Sequence, residues 1–77
     1  MEIKTAEQMF HNDELVTIPG THQLYKIVEI NLNNGDVMLE RYYLENEKAV
    51  STKLPLELYS ANQIEKASQL VRGERND

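Results

Sequence analysis

Apolar positions along the chain fall into short runs of two different periods. Near the N-terminus, Thr5-Ala6-Glu7-Gln8 has capping-box form, a Thr with Gln three positions on, followed by Met9 and Phe10. The pattern predicts a short helix over residues 6–11, with Met9 and Phe10 inward. Asn12-Asp13 ends it, since Asn tolerates left-handed backbone at a helix end. A helix this short must dock to persist. "ELVTIPG" then alternates with period two and predicts a strand over 14–18, with Val16 and Ile18 on one face and Leu15 and Thr17 on the other. Pro19-Gly20 stops it, because proline gives the ladder no donor.

The centre of the chain reads as a hairpin, with strands over 24–33 and 36–45. Asn34-Gly35 is the strongest short hairpin signal, and a two-residue type I′ loop there fixes a register. In that register Leu32 faces Val37, Ile30 faces Leu39, Ile27 faces Tyr42 and Tyr25 faces Leu44. All four pairs are apolar, yet by period two the first two lie on one face and the last two on the other. A bulge would displace one strand only, so a switch mirrored in both strands predicts a sharply coiled pair instead. Glu29 then faces Glu40, a like-charge pair placed outside near the bend. Lys26 opposite Tyr43 and Val28 opposite Arg41 form an exposed patch.

A fourth strand is predicted over 49–54, and Pro55 ends it. Residues 55–60 are open between one helical turn and a short strand. Ser60 and Gln63 repeat the capping-box pattern, and Ile64, Ala67, Leu70 and Val71 at helical spacing predict a C-terminal helix that Gly73 ends. That helix is expected to cap an open end of the sheet, with dimerisation through its apolar stripe as the alternative. The expected organisation is one domain over 1–72 and a flexible tail over 73–77.

Composition narrows the chemistry. The 77 residues contain no cysteine, which removes disulfides, thiolate metal sites and Cys nucleophiles, and fits a cytoplasmic setting. Thirteen acidic against eight basic side chains give a formal charge of −5, which opposes a strong non-specific grip on nucleic acid. No signal peptide is legible, and no apolar run approaches the roughly 20 residues of a membrane span. His11 and His22 lie apart, with no metal-ligand spacing around them. The three glycines are too scattered for a phosphate-binding loop, and no serine lies in a nucleophile elbow. Glu29 and Glu40 lack a pocket, so acid/base chemistry is not expected. The reading is non-enzymatic, without cofactor or metal.

The order of a capped short helix, "ELVTIPG", a glycine-turned hairpin and a further strand over residues 14–54 resembles the general plan of SH3-like small barrels. The expected fold is α+β, mainly β: a small SH3-like or strongly coiled antiparallel sheet or barrel of about four to five strands, with a short N-terminal and a C-terminal helix. The resemblance carries no SH3 aromatic motif, so proline-rich ligand binding is not implied. The candidate binding patch is Lys26, Val28, Arg41 and Tyr43, since Tyr and Arg are enriched in binding hot spots. Its plain structural alternative is a solvated strand face. The expected function is a protein-binding adaptor or regulator, monomeric or weakly dimeric. The alternatives are a nucleic-acid-binding small barrel, using Lys26, Arg41, Tyr43 and Lys53, and an acidic inhibitor of a nucleic-acid-binding protein.

Overall fold

The computed structural model describes residues 1–67. An N-terminal helix α1 (Ile3–His11) precedes strands β1 (Leu15–Thr17), β2 (Leu24–Asn31), β3 (Asp36–Glu45), β4 (Lys48–Ser51), β5 (Glu57–Ser60) and β6 (Glu65–Lys66), with one 3₁₀ turn (Ala61–Gln63) before β6. The fold is α+β and mainly antiparallel sheet, in the order β4-β3-β2-β1-β6. β5 pairs with the first half of β3 (Asp36 to Leu39) and β4 with its second half (Tyr42 to Glu45), so the two share one edge of β3. Among the described residues the sheet stays open, with β6 paired only to β1, and does not close into a barrel.

α1 begins three residues before the predicted start, at Ile3, with Glu2 rather than Thr5 at its N-cap. The added turn brings Met1 and Ile3 against the core beside buried Ala6 and Met9, which offsets the cost of starting without a side-chain cap. Its C-terminus closes as a Schellman motif: Asp13 N–H donates to Phe10 O at 3.3 Å and Glu14 N–H to Met9 O at 3.0 Å. Asp13, at φ 56°, takes the left-handed position that the sequence assigned to the Asn12-Asp13 pair.

The hairpin departs from its predicted register. Its loop holds residues 32–35, not two residues. Gly35 N–H donates to Asn31 O, Asn33 N–H to Asn31 Oδ1 and Asp36 N–H to Asn34 Oδ1, each at 2.9 Å. The Asn side chains thereby stand in for backbone acceptors in consecutive Asx turns. Gly35 alone in this loop needs positive φ, at 81°. The pairs are Ile30 with Val37, Ile27 with Leu39 and Tyr25 with Arg41, and the register shifts between Ile27 and Glu29. Val28 is thus the extra residue of a β-bulge, the device that the mirrored pattern argues against.

The bulge settles the face question. Ile27 and Ile30, three apart, both reach the inward face because Val28 absorbs one step. Inward side chains Tyr25, Ile27, Val37 and Leu39 meet Val16, Ala6, Met9, Ala61 and Ile64 in one core. β3 does not change phase: Arg41 simply occupies an inward position. The predicted Glu29–Glu40 opposition also disappears, since Glu29 lies opposite Met38 and Glu40 opposite Lys26.

Beyond β4 the chain leaves the edge of β3 and returns as β5, so residues 57–60 are a strand. The predicted C-terminal helix does not form over its described part. Ser60 starts a single 3₁₀ turn, Ile64 is extended, and β6 pairs Glu65 and Lys66 with Thr17 and Val16. The hydrogen bond from Ala67 N–H to Leu15 O, with Ile64 and Ala67 buried, draws the backbone into the sheet. Leu70, Val71, Gly73 and the tail lie outside the described residues.

Candidate functional site

The shifted register distributes the sequence-predicted patch over two faces. Lys26 shares the outer face with Glu40 and Tyr42. Its ammonium pairs with Asp13 Oδ2 at 2.9 Å and lies 5.0 Å from the Tyr42 ring centroid. Val28 is exposed at the bulge, and Tyr43 is exposed near the far end of β3. Arg41 points to the inward side, opposite buried Tyr25. The structure therefore does not gather Lys26, Val28, Arg41 and Tyr43 onto one surface.

Arg41 organises a polar rim to the core. Its Nη2 lies 3.0 Å from Glu57 Oε2 and donates to Tyr25 Oη at 3.2 Å. The guanidinium carbon also sits 5.5 Å from the Tyr25 ring centroid, within cation–π range. Tyr59 Oη donates to Glu57 Oε1 at 3.1 Å, and the Tyr25 and Tyr59 rings meet edge to face at 6.1 Å. The hydrogen bond to Glu57, with burial second, pushes the Tyr59 hydroxyl up to about 12. Burial, followed by the Glu40 charge, raises Tyr42 as well. These contacts fix β5 against β3 and leave the Arg41 charge committed within the molecule.

The surface the sequence did not single out lies at the hairpin tip. Glu29, Met38 and Leu58 are directly opposed across β2, β3 and β5 on the outer face, followed by Asn31, Asp36 and Ser60. Leu32 projects from the loop. The resulting shallow groove, about 690 Å³, is lined by Leu32, Met38 and Leu58, with Glu29 and Asp36 among its polar residues. Leu58 is 64% and Leu32 53% exposed, high values for leucine. Leu54 and Leu56 extend the exposed apolar side chains toward β4. The available signal was the alternation of Leu56 and Leu58 with Glu57 and Tyr59. Without the register, nothing identified which alternate set turned inward.

No group of three or more His, Asp or Glu side chains among the described residues is arranged to hold a metal. His11 lies 3.8 Å from Glu7 one helical turn away, and His22 lines a separate shallow pocket with Pro19 and Lys66. No helix among the described residues is long and apolar enough to cross a membrane. No family model, curated protein or solved structure matches the chain.

Proposed function

We propose that the chain is a small non-enzymatic protein-binding module, adaptor or regulator, whose partner docks on the outer face at the hairpin tip. The observation that carries this reading is the groove in which exposed Leu32 and Leu58 flank half-buried Met38 across the tip of the hairpin and β5. An apolar center ringed by polar side chains is the anatomy of a protein interface. Val28, also exposed, is a secondary contact in this proposal, whereas Tyr43, at the far end of β3, lies outside it. A cytoplasmic setting goes with it, supported by the cysteine-free sequence. The SH3-like plan is kept at the level of element order alone, with no proline-rich ligand attached.

The nucleic-acid alternative has less support, because two of its cations, Lys26 and Arg41, are held by Asp13 and Glu57. Affinity capture from the native host separates the surfaces. A partner retained by the parent chain is expected to be lost, by about tenfold or more, from the Leu32→Ser/Leu58→Ser variant. Val28→Ser/Tyr43→Ser should retain most of it. The reverse ranking would return the docking surface to the strand face carrying Tyr43.

A further inference from the structure

We propose that the segment seated in this groove is basic as well as apolar: a stretch of another protein that presents Lys or Arg beside leucine-sized or aromatic side chains. The inference rests on the protein-binding reading and adds the chemistry of the partner. Glu29 and Asp36 line the groove, and among the described residues no Lys or Arg does. Neither carboxylate forms an ion pair among the described residues, whereas Lys26, the nearest cation along β2, is spent on Asp13. The amide side chains of Asn31 and Asn34 are engaged at the loop backbone and supply no compensating charge. The groove thus sets apolar side chains beside carboxylates that no cation among the described residues offsets, on a chain of formal charge −5. A complementary partner places cations over that rim.

The same features narrow the mode of binding. In the β3–β5 ladder, Ala61 N–H donates to Gly35 O at 2.8 Å, so by antiparallel alternation Tyr59 and Glu57 bond to β3. The backbone groups of Leu58 and Ser60 then face the outer edge. Ser60 N–H is taken by Gln63 Oε1 at 2.8 Å, which blunts this edge against the addition of another strand. Recognition therefore runs through side chains on the sheet face. A second copy of the chain is a poor occupant, since it would bring the same acidic rim against itself.

The test is selection of peptides from a random phage-displayed library on the immobilised full chain, with counter-selection on Leu32→Ser/Leu58→Ser. Recovered peptides are expected to pair Lys or Arg with large apolar residues. Their affinity should fall roughly tenfold on Glu29→Lys/Asp36→Lys, two solvent-accessible charge contacts being worth about that factor together, and should weaken with added salt. Discriminating peptides that are neutral or acidic, or that ignore the charge reversal, would overturn the basic partner while leaving the docking surface intact. Failure to recover any peptide that distinguishes the parent chain from the leucine variant would overturn both.

Discussion

Arg41 shows how one side chain can invert the reading of a strand. In the predicted register Arg41 lies outward opposite Val28, yet its guanidinium reaches Glu57 and Tyr25 at the rim of the core. Glu57 sits beyond Pro55, in a segment whose secondary structure the sequence left open, so its role as counter-ion was not legible. The network makes a prediction at alkaline pH. The Tyr59 hydroxyl, raised from 10.0 to about 12 chiefly by its bond to Glu57, stabilises the fold fully below pH 10. That contribution is lost as pH rises through about 12. Tyr59→Phe should remove a late step from the spectrophotometric tyrosine titration and flatten the loss of stability in this window; an unchanged profile would contradict the Tyr59–Glu57 bond. A second residue-scale prediction concerns the β3–β4 turn, where Asn46 and Glu47 both hold positive φ, 53° and 67°. This is the two-residue turn that the sequence placed at Asn34-Gly35. Glu at such a position is strained by roughly 1 kcal/mol, so Glu47→Gly should raise stability by about 1 kcal/mol and the melting temperature by roughly 4–8 °C. A lower melting temperature would count against the turn.

Among the elements, those defined by short-range chemistry were legible: the N-terminal helix, the strand closed by Pro19-Gly20, and the hairpin itself. What failed was register, because a four-residue loop built on Asn31 and Asn34 side chains competes with the two-residue Asn-Gly turn, and pairing energies of apolar residues do not choose between them. The C-terminal segment failed differently. Ile64 and Ala67 fit a helical stripe, but β1 offered an open edge, and pairing with Lys66 and Glu65 satisfies its backbone groups. The bulge yields a sharp prediction. Deleting Val28 leaves Ile27, Glu29 and Ile30 in plain alternation, with Tyr25 and Ile27 still inward. The shortened chain should fold with a loss of about 1 kcal/mol or less, measured by denaturant unfolding, because only an exposed extra residue is removed. A hairpin with a mirrored face switch would instead have its inward residues turned outward on one side of the deletion, and would unfold.

Across the whole molecule, the core consumes the helix and one face of the sheet, while the opposite face at the hairpin tip keeps its leucines uncovered. The polar commitments point the same way. The cations of the sequence-predicted patch are paired internally, while Glu29 and Asp36 at the tip form no ion pair among the described residues. Whether a surface is available is a property of the assembled sheet, which is why the sequence could nominate Tyr43 and Val28 but not the groove of Leu32, Met38 and Leu58. The most direct test is a backbone amide chemical-shift map of the isotope-labelled chain titrated with its captured partner. Shifts should concentrate at Glu29 to Met38 and at Leu56 to Ser60. Shifts concentrated instead on α1, or around Lys26 and Tyr43 with the tip silent, would contradict the proposed docking surface.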